Sequence, residues 1–378
     1  MSPKAHQTID KHFASLKDPR TGNAQQHELL DILVITICAV ICGADGWTEV
    51  ALWGQANETW LKTFLPLPHG IPSHDTFGRV FARLDPKAFR HCFLSWVRAI
   101  SKLTHRRVVA VDGKTVRRSH DRTHGRAAIH MVSVWAAENR LVLGQAKVSD
   151  KSNEITAMPE LLRLLALSGC IVTIDAMGCQ TQIAKTIVQQ GGDYLLAVKA
   201  NQKRLYQDLQ DLFHDADPTN RHDATHDYAR TVDKGHGRVE IRECWTVSDP
   251  EVMAYLRARQ PWPNLQTVAM LRAERRVSEQ TSIEARFYIS SLENDAGLVL
   301  QSARGHWGIE NGLHWVLDVA FREDESRVRK DYAPENLAVV RHMALNLLRR
   351  ETSLKVGVKA KRLRAAWDRD YLLKILST

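Results

Sequence analysis

Two acids close runs of small, β-branched residues. Asp112 ends Val108–Val111 in VVAVDGKTVRRS, and Asp175 ends the run in CIVTIDAMGCQ. A strand end fixes a side chain, and in an α/β sheet such ends line the functional crevice. If the two strands are neighbours, about 4.8 Å apart, the carboxylates face each other across a gap of ion-binding size. Oxygen ligands of this kind suit hard cations, Mg²⁺ or Mn²⁺. Each acid also has a plainer use. Asp-Gly is a common turn dipeptide, and Asp175 can cap the turn that follows it.

Two-metal phosphoryl transfer calls for a third ligand, and HWGIENGLHWVLD at 306–318 offers candidates. His306, Glu310, His314 and Asp318 are spaced by four, so neighbouring members share a helical face. Two histidines without a third soft ligand argue against zinc. Lys114, Arg117 and Arg118 follow Asp112 closely and either suit phosphate or form a solvated turn. The strand would fix the acid, a cation would neutralise it, and the basic residues would meet the charge of the substrate.

The elements that must position these residues can be read from periodicity. The first hundred residues are helical in pattern: a core helix at about 27–43, a second at 47–65, a third opening at the N-cap Ser73, and a fourth at 88–100. The third, with His74, Thr76, Arg79 and Arg83 near one edge, either presents a recognition helix to DNA or belongs to an ordinary bundle. From 107 the period changes. Strands are predicted at 108–112, 128–137, 140–148, 170–177 and 193–199, with helices at 154–167 and 181–190, which implies a mixed sheet covered by helices. Residues 216–293 lack that rhythm and hold three strand-like runs, 238–247, 265–275 and 285–292. Helical spacing returns at 298–321 and 334–351.

Composition sets the bounds. The 378-residue chain carries 52 Lys and Arg against 43 Asp and Glu, a net charge of +9. The excess is local: residues 101–130 hold eight cations against two carboxylates, and residues 352–378 hold seven against two. Concentrated basicity is what a polyphosphate partner requires. Six cysteines without a CxxC pair read as reduced, buried small hydrophobes. The apolar stretch LLDILVITICAVICGA at 29–44 is shorter than the roughly 20 residues of a membrane span and contains Asp31, so a buried helix is expected.

The motifs VDGK, TIDAMGCQ, LLAVKANQ, DKGHGRVE and HWGIENGLHWVLDVAFRED, together with the N-terminal ELLDILVITICAVICGADGW and IPSHDTFGRVFARLD, resemble the bacterial DDE transposases of insertion sequences, in the branch of the H-repeat-associated proteins. The likeness runs from about residue 20 to 351. It implies an α/β fold with a ribonuclease H-like mixed sheet flanked by helices, a β-rich insertion and a helical N-terminal domain. The corresponding boundaries are 1–104 for the helical accessory and DNA-binding domain, 105–215 for the first part of the core, 216–293 for the insertion, 294–351 for the core completion, and 352–378 for a basic tail.

The resemblance further implies that Asp112, Asp175 and Glu310 are the catalytic, metal-binding triad, holding two Mg²⁺ ions, with Mn²⁺ as a substitute. The implied reaction is DNA cleavage and strand transfer at the ends of an insertion sequence. Partners would be double-stranded DNA, as terminal inverted repeats and target, and a second copy of the chain when assembled on DNA, in the cytoplasm at the nucleoid, with no membrane. The expected DNA contacts are Lys114, Arg117, Arg118, Lys199, Asn201, Gln202, His236, Arg238, Arg304 and His306. The last two are substitutes, because relatives place tyrosine, arginine and lysine around the final glutamate where this chain has Ala303, His306 and Leu317. Rival readings are a metal-dependent nuclease that does not join ends, and a DNA-binding protein that retains an idle triad.

Overall fold

A computed structural model describes residues 7–101, 107–120, 127–148, 154–214, 225–235, 237–278 and 280–378. Its centre is one mixed sheet of nine strands: β1 (Val108–Thr115), β2 (His130–Ala136), β3 (Leu141–Val148), β4 (Ile171–Ile174), β5 (Asp193–Val198), β6 (His226–Gly235), β7 (Arg238–Val247), β8 (Thr267–Val277) and β9 (Gln280–Ser290). Across the sheet the order is β3-β2-β1-β4-β5-β9-β8-β7-β6. β4 runs parallel to both β1 and β5, and the remaining pairings are antiparallel.

Burial explains the central strands. Val108–Val111 and all four residues of β4 are buried, as apolar runs covered on both faces must be. On the odd-numbered face of β1, Gly113 lies against Glu154, the first residue of the helix Glu154–Arg163. Even-numbered residues face a continuous helical stretch made of Ala296–Ile309, a π turn at Glu310–His314, and Trp315–Phe321. Two glycines let that stretch lie close to the sheet. A Cβ on Gly305 would fall 2.9 Å from Val108 Cγ1, and one on Gly312 would fall 2.8 Å from Trp135 Cζ2.

The insertion continues this sheet. Leu195–Val198 of β5 pair with Phe287–Ser290 of β9, and β8, β7 and β6 follow outward. The periodicity shows three of these four strands. It misses β6, HDYARTVDKG, because that strand forms the edge, is largely half-exposed or exposed, and carries no apolar alternation.

The N-terminal helices form where the spacing places them, with the 47–65 segment divided at Asn57 into Trp47–Ala56 and Glu58–Leu61. Ser73 Oγ accepts the amide of Thr76 at 3.3 Å as the expected cap. The helix Leu29–Ile41 is buried almost throughout. No helix among the described residues is long and apolar enough to cross a membrane. These helices share a core with the sheet through the helix Ala333–Arg350. Its Asn336 donates to the carbonyls of Phe81 and Leu84, and its Asn346 donates to the carbonyl of Val142 on β3.

Residues 352–378, expected as a basic tail, are folded. Val358–Trp367 and Arg369–Leu376 are helices. Arg362 donates to Val40 O at 2.7 Å, and Lys361 donates to Leu348 O at 2.9 Å. These cations satisfy carbonyls at helix ends, where positive charge is favoured, and so are not available to DNA.

Candidate active site

Register brings the strand-end acids together. Val111 is the partner of Ile174 in the parallel β1–β4 pair, so Asp112 and Asp175 are the next residues on neighbouring strands. Asp112 Oδ1 accepts the amide of Gly113 at 2.9 Å. Asp175 Oδ1 accepts the amides of Met177 at 3.1 Å and Gly178 at 3.4 Å, capping the turn Ala176–Gly178. The cap and the strand-end position are therefore compatible uses of one carboxylate.

The third acid comes from the helical stretch over the even-numbered face of β1. Glu310 opens its π turn, a geometry found often at functional sites. Asp112, Asp175 and Glu310 line one cleft of ≈ 710 Å³. Among the described residues, no three acid, imidazole or thiol side chains are gathered closely enough to hold a metal ion. The carboxylates share a cleft without forming a closed cage.

The two strand-end acids have opposite electrostatic environments. Burial pushes the Asp112 carboxyl up, but His314, with Nε2 3.2 Å from Oδ2, and then His306 and the Gly113 amide bring it below its ordinary value. The His314 contact is an ion-pair distance without hydrogen-bond alignment. Asp175 is raised by burial and then by the charge of Asp112, which the Gly178 amide only partly offsets. Two carboxylates this close compete for ionisation. His306 stands in the field of all three acids, with Nδ1 3.1 Å from Thr173 Oγ1, yet burial outweighs them and lowers its basicity.

The expected DNA-contacting residues divide. Lys199, Arg238 and His306 line the cleft. Asn201 and Gln202 are engaged with backbone, donating to Ala176 O at 2.6 Å and Cys179 O at 2.7 Å, so they brace the turn that follows Asp175. Lys114 points toward the helical stretch, bound to Asp318 and 3.0 Å from Glu323. Its even-numbered position puts it under that helix. Arg117 and Arg118 are exposed beyond β1, with Arg117 Nε 3.3 Å from Asp324. Arg304 pairs with Asp233 at 2.9 Å. His236 lies outside the described residues.

The insertion supplies basic residues that the motif reading omits. Arg242, Arg275 and Arg286 line the cleft together with Glu240, Glu274 and Glu284; Arg242 is paired with Asp233 and Arg286 with Glu284, and the Arg286 guanidinium lies 4.6 Å from the centre of the Trp307 ring. A signal existed. In RVEIR the charges fall on every second residue, the mark of one strand face turned to a polar space.

The model described as "Transposase DDE domain" matches residues 103–347, and that described as "DDE_Tnp_1-associated" matches residues 11–97. The chain is 38% identical over 371 residues, 97% of both chains, to "H repeat-associated putative transposase YhhI" of Escherichia coli K12. It is 40% identical over 378 residues, 98% of this chain and 95% of the other, to "Putative transposase YncI" of Escherichia coli O157:H7. A solved piggyBac transposase synaptic complex with hairpin DNA aligns over 99% of this chain and 77% of its own, but at 11% identity and a TM-score of 0.44 it supports no further argument.

Proposed function

The chain belongs to the DDE transposase family, and from that premise we propose that it cleaves the ends of an insertion sequence and joins them to target DNA. In this reading Asp112, Asp175 and Glu310 are the catalytic carboxylates, and the order β3-β2-β1-β4-β5 is the ribonuclease H-like part of the sheet. One observation carries it. The Val111–Ile174 register sets Asp112 beside Asp175 in the cleft that Glu310 also lines.

The residues fit a hard divalent cation in type. The donors are carboxylate oxygens, and the charge of Asp112 pushing up Asp175 is a repulsion that a cation would offset. Asp112, Asp175 and Glu310 would hold Mg²⁺, which when bound supplies an activated oxygen nucleophile and neutralises the leaving oxygen. Closing the set requires the three carboxylates to draw together. The chain itself orients Asp112 and Asp175 at rigid strand ends, and burial disfavours charge on His306 beside Thr173. Lys199, Arg238, Arg242, Arg275 and Arg286 line the same cleft and would accept phosphates, Arg238, Arg242 and Arg286 by exchanging their pairs with Glu240, Asp233 and Glu284. Asn201 and Gln202 keep the turn after Asp175 in shape.

Purified full-length protein incubated with Mg²⁺ and labelled candidate element ends tests this directly. Joined strands are expected, and Asp175→Ala should abolish cutting by at least about 10³-fold while leaving DNA retention nearly unchanged. Cleavage retained by Asp175→Ala would show that the triad is wrongly assigned, and ends cut but never joined would restrict the activity to a nuclease.

A further inference from the structure

Behind the strand-end acids, on the odd-numbered face of β1, lies a buried polar chain with no part in the reaction as read above. Thr115 Oγ1 is 2.9 Å from His130 Nδ1, and His130 Nε2 is bonded to Glu154 Oε1. His130 and Glu154 are 4% and 5% exposed. Gly113 makes room for them, since a Cβ there would come within 2.5 Å of His130 Nε2 and 2.6 Å of Glu154 Oε1. One helical turn further on, Met158 Sδ lies 3.2 Å from where a Cβ on Gly178 would be.

Both glycines belong to the acids. Gly113 follows Asp112 and donates to it, and Gly178 donates to Asp175. The helix Glu154–Arg163 therefore touches the backbone behind Asp112 with its first residue and the backbone behind Asp175 with its fifth. A helical turn rises about 5.4 Å, close to the roughly 4.8 Å between adjacent strands. A pair of buried ionisable groups rarely stabilises more than well-packed apolar residues of the same size. What this pair adds is a hydrogen-bonded distance of the kind that orients ligands from behind.

We propose that Glu154, held by His130, is a positioning residue that fixes the separation of Asp112 and Asp175, with Met158 as the other end of the same strut. The inference rests on the proposed function, because the separation matters through the divalent cation the two acids would share. Glu154 acts through the backbone at Gly113 and is not itself a ligand.

The test measures Mn²⁺ binding to the full-length chain by electron paramagnetic resonance, without DNA and without turnover. Glu154→Ala should weaken binding by about tenfold or more, whereas Glu154→Gln, which keeps the reach and the acceptor oxygen, should restore it to within about threefold of wild type. Met158→Ala should shift binding in the same direction by less. A folded Glu154→Ala chain with wild-type affinity overturns the proposal, and so does Glu154→Gln binding as weakly as Glu154→Ala, because charge would then be the operative property. If Glu154→Ala does not fold, Met158→Ala decides, and unchanged affinity there rejects the strut. Asp175→Ala separates the two levels. If it binds Mn²⁺ like wild type, or if wild type binds none, the metal reading itself fails and the strut falls with it.

Discussion

Lys114 and Asp318 are bound to each other although 204 residues separate them. Beside them Asp112 meets His314. Two residues along a strand advance about 6.6 Å, and four along a helix about 6 Å, so one strand face and one helix face meet in two successive pairs. The first pair contains the acid, and the second locks the helix that carries Glu310 over β1. Lys114 is thereby committed to protein, with Asp318, Glu323 and Asp324 around its ammonium.

Lys114→Met should therefore behave as a structural change. The Glu323 side chain is 3% exposed and, among the described residues, would keep Arg341, 3.8 Å away, as its ion-pair partner. Removing one member of a buried ionic cluster costs about 3 kcal/mol, which urea unfolding would detect. The dependence of DNA binding on salt should stay the same. A reduced salt slope with unchanged stability would restore Lys114 to the DNA surface.

Gly312→Ala tests the close approach of helix and sheet. In an exposed helix the change would stabilise by up to about 1 kcal/mol. Here the new methyl meets the rigid Trp135 ring, and overpacking costs about 1–3 kcal/mol, so the net effect should be destabilising. Because the helix must retreat from β1, cleavage should fall more than DNA retention does. A stabilised and fully active variant would mean that the helix does not rest on Trp135.

Much of this was legible in the sequence, and the omissions have physical causes. β1 and β4 were readable because β-branched runs covered on both faces carry their own signature. The pairing of Asp112 with Asp175 was readable only conditionally, since register is a long-range property that neither strand encodes alone. β6 was missed because an exposed edge strand needs no apolar face. Asn201, Gln202 and Lys114 were expected at DNA, and their engagement with carbonyls and carboxylates was not legible, because polar side chains serve protein and phosphate partners equally well. The folded C-terminal segment was hidden by the same ambiguity, its lysines and arginines reading as a basic tail for a polyphosphate partner.

That segment makes a prediction about acid. Glu351 is 1% exposed and accepts from Tyr371 Oη at 2.7 Å and Ser353 N at 2.8 Å. Burial opposes its charge, but the Ser353 and Tyr371 hydroxyls and the backbone amides lower its carboxyl to about 2. A depressed carboxyl stabilises the fold above its unfolded value and loses that contribution as pH falls through the folded one. Against an ordinary value of 4.5, the contribution is on the order of 3 kcal/mol at neutral pH. Wild-type stability should therefore decline between about pH 5 and pH 2. Glu351→Gln should be less stable at pH 7 and decline less over that window. Parallel pH profiles for the two proteins would remove Glu351 from the account.

Lys199 gives the opposite expectation to Lys114. It is exposed at the end of β5 and lines the cleft that holds the three acids. A lysine meeting one phosphate releases about one counterion, so Lys199→Ala should lower the magnitude of the slope of log affinity against log salt by about 0.9. The loss should be similar across DNA sequences, and thermal stability should be nearly unchanged. Since Lys199 stands outside the proposed triad, single-turnover cleavage at saturating DNA should fall far less than with Asp175→Ala. An unchanged salt slope would mean that DNA enters the cleft by the insertion's arginines alone, with the β5 end left to solvent.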